Sequence, residues 1–463
     1  MVTGEIVEWN DDMITNPDSI KSKIVYNKGH IPLYRAAFLA DHHAKAVLME
    51  EGGKNYHPLI LLNDAGIPAV AGIGPLDLDG IVTVGKGMVY KDEISPEEPF
   101  KPNDTHIPDT SLKVYANIGY YTAIKKAAQA RADGIGILRT EFTLVRTLSR
   151  LLTKKFEGKP IKDILDTSNE ADLIYAMATQ KEFRTYLKND LKQVIMEAVN
   201  YFGEKDIIVR TLDIPRRIDE PMGNRGIRRC ISEGGHTITL IGEAIKEVLQ
   251  KKDCHIGVIL PLVSHYSQIK KGIDLILNTG LHLHDEDFCI KYGWEIEQPA
   301  ASQNNEVWLQ AFTKEYRCPP HFIGIGTNDL TQFTMALGRD VYTQEKNEKA
   351  KTYLKTLYNE GDFSVIKQIY EVSKQCKRFR TQLLLLGQAA SNPEYGELMF
   401  SFGIIPSVAV DSISKVKKIA YEFEKKNPQD VIKNYIETVC KDYPLEVQSS
   451  VRDYLFRIFD IYM

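Results

Sequence analysis

Short, nearly unbroken apolar runs alternate with longer segments of helical period along most of this chain. From residue 112 onward the runs are LKVYANIGY, GIGILRTEF, DIIVRTLD, HIGVILPLV, IKYGWEIEQP, HFIGIGTNDL, LLLLGQAA and GIIPSVAV, eight in all. A run with few polar breaks marks a strand buried on both faces, as in a parallel sheet. Between most of them lie stretches such as IKKAAQARA, EFRTYLKNDLKQVIMEAVN and TLIGEAIKEVLQ. Their apolar residues return every three or four positions, the period of an amphipathic helix. Eight such units over residues 112–425 predict an α/β fold of the (β/α)8, or TIM barrel, class.

The N-terminal part is patterned differently. Residues 1–92 read as a small α/β unit: strand Ala46-Val47-Leu48-Met49, a loop at Glu51-Gly52-Gly53, then His57-Pro58 opening the apolar helix LILLNDAG. Gly66 is placed to end that helix. Ile67 to Val70 re-enter as a strand, and GIVTVGKGMVY reads as a hairpin with glycines at its turn. DEISPEEPFKPNDTHIPDT, rich in proline and acid, reads as a linker. The expected organisation is therefore 1–92, a linker over 93–111, a barrel over 112–425, and surface helices over 426–463.

Composition narrows the function classes. The chain has 463 residues, 43% hydrophobic and 26% charged, with a net charge of −4. This describes a globular protein with no electrostatic bias toward nucleic acid or an anionic membrane. MVTGEIVEWNDDM lacks the basic start and apolar core of a signal peptide, and no run is long enough to span a bilayer. Cys230, Cys254, Cys289, Cys318, Cys376 and Cys440 show no metal-type spacing and read as reduced thiols of a cytoplasmic protein.

The candidate chemistry collects where strands end. In GIGTNDLTQFTMALGRD an apolar strand, Phe322 to Ile325, runs into a turn with Asn328 and Asp329, and Arg339 follows ten residues later. Arg139 ends GIGILR, Arg210 ends DIIVR, and Arg225 lies in GNRGIRR. Several arginines at one barrel mouth repel one another unless an anion holds them, which points to a phosphate or carboxylate ligand. A lone strand-end arginine would be an ordinary solvated charge. Glu297, at the end of WEIEQP, and Asp329 end adjacent strands. At a strand spacing of about 4.8 Å they could share one Mg²⁺. The rival reading is a structural salt bridge to Arg210 or Arg339. Glu295 shares the face of Glu297 but sits deeper. His57 precedes Pro58 at a helix start, where the positive helix end suits an anion and hence a phosphorylated imidazole. Taken alone, it would be a surface histidine. His30, His42, His43 and His265 have no comparable context and read as structural or solvated.

With these segments together, the chain resembles the phosphoenolpyruvate-utilising phosphotransferases, a family that includes enzyme I of the sugar phosphotransferase system, phosphoenolpyruvate synthase and pyruvate phosphate dikinase. ANIG, GILRTEF, VRTLD, GNRGIR, ILPLVS, EQPAA and IGTNDLTQFTMALGRD carry the barrel resemblance. EGGKNYHPLILLNDAGIPAVAG is similar to the family's swivelling phosphohistidine domain. The resemblance implies a phosphoryl-carrying His57, phosphoryl-binding Arg139, Arg210, Arg225 and Arg339, and a phosphate-contacting Asn328. It also implies Glu297 and Asp329 as Mg²⁺ ligands. Phosphoenolpyruvate, pyruvate or a related enolic anion is then the expected ligand, and a homodimer through the barrel the expected assembly.

Three departures accompany it. Leu386-Gly387-Gln388 stands where the family has C-G-E, so its proton-donating cysteine is absent, and neither Cys230 nor Cys376 obviously replaces it. Asn55 and Tyr56 replace the T-S before the histidine. The helical domain that docks a phosphocarrier has no counterpart here, nor does an ATP-binding region. The expected partner is thus a separate phosphocarrier protein or ATP-using subunit. Two alternatives follow: phosphorylation of another phenol, enol or alcohol from phospho-His57, or a protein that senses phosphoenolpyruvate without turning it over.

Overall fold

The computed structural model describes residues 1–52, 57–76, 80–85, 87–91, 109–152, 154–156, 159–160, 169–214, 223–283, 288–338, 341, 345 and 347–461. Eight parallel strands close into a barrel. In chain order they are Tyr115–Ile118, Ile135–Arg139, Ile207–Arg210, Ile256–Leu260, Lys291–Ile296, Phe322–Ile325, Gln382–Leu385 and Ile405–Ala409. Each pairs with its sequence neighbours, and the last closes on the first through Ser407 opposite Tyr115 and Ala409 opposite Asn117. Every run read as a barrel strand from its apolar pattern is one. Ile256–Leu260 is buried at all five positions, as expected of a strand with helices outside and packed side chains inside.

The barrel is filled, not hollow. Tyr115, Ile137, Ile208, Ile259, Phe322, Leu384 and Leu386 form the interior cluster. Phe322 fits because its neighbours are small: a Cβ on Gly257 would lie 2.7 Å from its ring, and one on Gly293 2.0 Å from its carbonyl oxygen. Large and small residues thus alternate to fill the layer.

Residues 2–91 contain a six-stranded mixed sheet, ordered Ala69–Ala71, Ala46–Met49, Ile24–Asn27, Val2–Glu8, Ile81–Gly85, Met88–Lys91. The first four strands are parallel and the last pair is an antiparallel hairpin. The strands Val2–Glu8 and Ile24–Asn27 and the helix Leu33–Asp41 are additional to the sequence reading. The expected linker falls largely on residues 92–108, outside the described residues. Helices Pro428–Cys440 and Leu445–Ile458 follow the barrel, and the tail packs back on it. The Tyr370 hydroxyl donates to the Phe459 carbonyl at 2.9 Å, and the Phe402 and Phe459 rings stack at 6.1 Å. Among the described residues no helix is long and apolar enough to cross a membrane.

The small sheet's helices face the barrel. Helix Leu33–Asp41 lies on Thr140–Leu152, and one apolar cluster runs from Val47 and Leu61 through to Leu148 and Val209. The polar contacts at this seam are carboxylates. Asp41 receives the Arg146 Nε at 2.9 and 3.0 Å, and Glu170 accepts the Leu33 N–H at 3.1 Å.

Burial pushes Glu170 up to about 7, against the pull of the Leu33 and Tyr34 N–H groups, and Asp64 up to about 6. Between the usual carboxyl values near 4 and these raised values, the folded chain holds protons that the unfolded chain has released. Stability therefore falls as pH rises through that window. The melting temperature is expected to decline from pH 5 to pH 7.5, and Glu170→Gln to flatten that slope. An unchanged slope in the variant would refute the assignment.

Candidate active site

A cavity of about 40 Å³ lies at the C-terminal rim of the barrel, with walls from both parts of the chain. His57 and Ile60 come from helix His57–Ala65 of the small unit. Arg139, Arg210, Asp213, Arg225, Glu295, Glu297, Asn328 and Asp329 come from the barrel, and Ile137 and Leu386 supply apolar surface. At roughly 10–15 Å³ for one water, the space holds only a few. Of the sequence-predicted site residues, His57, Arg139, Arg210, Arg225, Asn328, Glu297 and Asp329 line this one cavity, and Arg339 lies outside the described residues.

Two local placements differ from the sequence reading. Asn328 and Asp329 do not end a strand; they lie in the first turn of helix Thr327–Met335, because the strand stops at Ile325 and the helix begins directly after Gly326. Gly326 lets this turn pass close to Glu297, since a Cβ there would sit 2.7 Å from Glu297 Oε1. Glu297 itself is one residue beyond strand Lys291–Ile296.

The sequence pattern points to a ligand that holds the arginines together; the protein's own carboxylates already do much of this. Arg225 makes a two-pronged contact with Asp213, at 3.0 Å from Nε and 2.8 Å from Nη2, and its Nη1 stands 3.5 Å from Asp329. Arg210 pairs with Glu141 and stands 3.7 Å from both Asp213 and Glu295. Burial opposes the charge of Arg225, yet Asp213 and Asp329 outweigh it and hold the guanidinium well above its usual pKa. The same pairing, against burial, holds Asp213 below the carboxylate range.

Arg139 is different. It is half-buried and has no carboxylate within ion-pair distance among the described residues. Burial and the neighbouring Arg210 both lower its pKa. Its guanidinium lies 5.9 Å from the Phe142 ring, and the same ring meets the His57 imidazole edge-on at 6.3 Å. Among the described residues, Arg139 is therefore the cation of this rim with capacity left for an incoming anion.

The carboxylates are crowded in turn. Glu297 is pushed well above its usual pKa by burial, then by Glu295, Asp329 and Asp213. Its Oε2 accepts the Leu262 N–H at 2.7 Å. Glu295 is raised chiefly by burial. Among the described residues, Asn328 Oδ1 is buried without a hydrogen-bond partner. Hard oxygens held close in mutual repulsion fit a divalent cation. Among the described residues no group of three or more His, Cys, Asp or Glu has metal-ligand placement. Mg²⁺, however, takes one or two carboxylates and completes its shell with water and substrate oxygens.

Leu386 is 5% exposed and belongs to the barrel interior, so it closes the floor of the cavity with methyl groups. No thiol or hydroxyl side chain lines the cavity among the described residues. Cys230 and Cys376 lie away from it, and burial raises them to about 11 and about 12. Asn117 fixes the backbone there: its Nδ2 donates to the Leu386 carbonyl at 3.0 Å, while its Oδ1 accepts from Ser407 at 2.6 Å. Sequence reasoning passed over Asp213, Glu141 and Asn117 as functional side chains, although VRTLD, GILRTEF and ANIG display them at strand ends. Asn55, Tyr56 and the side chain of Gln388 fall outside the described residues.

Known proteins resemble this chain over most of its length. A family profile described as the PEP-binding domain of PEP-utilising enzymes matches residues 101–425. A probable phosphoenolpyruvate synthase of Archaeoglobus fulgidus is 30% identical over 408 residues, covering 83% of this chain and 48% of the relative. The phosphoenolpyruvate synthase of Pyrococcus furiosus is 29% identical over 414 residues, with 83% and 45% covered. A phosphoenolpyruvate-protein phosphotransferase of Haloferax volcanii is 23% identical over 427 residues, with 86% and 66% covered. The chain spans about half the length of the two synthases.

Proposed function

This chain belongs to the PEP-utilising enzymes, and we propose that within that family it is a Mg²⁺-dependent phosphotransferase working between the barrel mouth and His57. The observation that carries the proposal is the cavity itself, in which an imidazole from one unit faces arginines and carboxylates from the other. In the proposed step the imidazole nitrogen attacks the phosphorus of phosphoenolpyruvate or a related enol phosphate. A P–N bond forms, the P–O bond breaks, and the enolate keeps the electron pair. Arg139 binds the phosphoryl oxygens, and Arg210 and Arg225 supply positive field from fixed positions, needing no rearrangement as charge develops. Glu297 and Asp329 would hold Mg²⁺, with Asn328 Oδ1 beside them. When bound, the ion neutralises charge on substrate oxygens. The phosphoryl group on His57 would be exchanged with a phosphocarrier protein or an ATP-using unit.

Leu386 favours a second reading. A methyl floor cannot protonate an enolate carbon, and a proton donor at such a place contributes roughly 10²–10⁴-fold. Transfer of phosphoryl from His57 to the oxygen of a phenol, enol or alcohol requires no proton at carbon, and it suits the same rim.

One labelling experiment separates the readings. The pure chain is incubated with Mg²⁺ and ³²P-phosphoenolpyruvate, and acid-labile, base-stable label is counted on wild type and on His57→Ala. Label on the wild type alone is expected. Label that reaches His57 only from ³²P-ATP in the presence of a partner extract would favour the second reading. Tight binding without label in either case would mean a sensor, and equal label on His57→Ala would overturn the role of that residue.

A further inference from the structure

We infer that Asp64 is the positioning residue for His57: its side chain sets the register of helix His57–Ala65 on the loop that follows the first barrel strand. This rests on the proposed role of His57. The two residues are seven apart on one helix, close to two turns, so they share a face, and whatever fixes one fixes the height and azimuth of the other. That face is turned to the barrel at both ends, since His57 lines the active-site cavity and Asp64 reaches the loop.

Three bonds join Asp64 to this loop. Its Oδ2 accepts the Gly119 N–H at 2.8 Å and the Tyr120 N–H at 3.3 Å, and its main-chain carbonyl accepts the Thr122 hydroxyl at 3.1 Å. The loop is shaped for the approach. A Cβ at Gly119 would lie 2.3 Å from Asp64 Oδ2 and 2.5 Å from the Phe142 ring. That same ring meets His57 edge-on and lies under Arg139. Asp64, Gly119, Phe142, His57 and Arg139 are thus successive neighbours, and a shift at the Asp64 end is passed to the imidazole. The other directional contacts at the seam, at Asp41 and Glu170, hold helix Leu33–Asp41 and not helix His57–Ala65, and apolar contact does not select one orientation. Directional bonds from a carboxylate to two adjacent N–H groups do.

Misplacing a reacting group by about 1 Å costs on the order of 10²-fold in rate. The test uses the full chain as wild type, Asp64→Ala and Thr122→Val. It measures single-turnover labelling of His57 across phosphoenolpyruvate concentrations and amide hydrogen exchange of the segment holding Gly119 and Tyr120. Asp64→Ala is expected to lower the saturating rate about 100-fold with half-saturation within twofold of wild type, and to release the Gly119 and Tyr120 amides. Thr122→Val, which removes one bond from the barrel side, should show a smaller loss in the same sense. General unfolding would instead raise exchange throughout and abolish binding, and Thr122→Val then decides. A saturating rate within threefold of wild type in both variants overturns the assignment. Should the wild type take no label, the proposed function fails, and exchange alone judges the anchor: unchanged protection in Asp64→Ala refutes it, and lost protection upholds it.

Discussion

Arg225→Ala should destabilise this protein by about 3–5 kcal/mol, the usual cost of removing one partner from a buried ion pair. The reason is what remains behind. Asp213 would lose both of its short contacts to Arg225, and Asp329 would lose its nearest cation among the described residues. Both carboxylates are buried, and Asp329 already adds to the repulsion around Glu297. Arg225→Lys should recover only part of the loss, because an ammonium cannot reproduce the paired contact from Nε and Nη2 to the two Asp213 oxygens. Chemical denaturation of the three proteins measures this directly. A loss below about 1 kcal/mol for the alanine variant would mean that water or a shifted side chain replaces the guanidinium, and that the rim is less rigid than its geometry implies.

Glu297→Gln is expected to separate stability from activity. At pH 8 without metal, the folded wild type either keeps a buried charge beside Glu295, Asp329 and Asp213 or takes up a proton that the unfolded chain does not need. Glutamine removes both costs and still offers an oxygen to the Leu262 N–H. Stability should rise by about 0.5–2 kcal/mol, the range common for stabilising substitutions, and the melting temperature with it. The proposed Mg²⁺-dependent transfer to His57 should fall by about 10²–10³-fold, the scale of losing one charge-stabilising group. Added Mg²⁺ should raise the melting temperature of the wild type and not of the variant. A variant that melts lower than wild type would contradict the crowding. A variant with full transfer would remove Glu297 from the metal site.

The strand Ile256–Leu260 shows why the barrel was readable from the chain. A strand covered on both faces must be apolar throughout, and IGVIL needs no partner to announce it. The helix start at His57 was legible for a related reason, since an imidazole beside proline is a local arrangement, but only the resemblance to the family set this histidine apart from an ordinary surface one. The strand Val2–Glu8 gave no such signal. It is only half-covered, and its place comes from pairing with Ile24–Asn27 on one side and Ile81–Gly85 on the other. Nor could local pattern show that Arg210 is held by Glu141, since those residues meet only because adjacent barrel strands bring their ends together across 69 positions of sequence.

The chain alone determined the strand and helix periods, and with them the barrel and the kinds of side chain set at its rim. These follow from short-range rules of backbone geometry and burial. Only the folded molecule decided that Asp213 and Glu141 already hold two of the arginines, that Arg139 keeps its capacity for an anion, and that His57 stands over the mouth. Charge pairing and docking depend on distances between residues far apart in sequence, and those distances exist only after the barrel closes and the apolar face of the small unit packs against it.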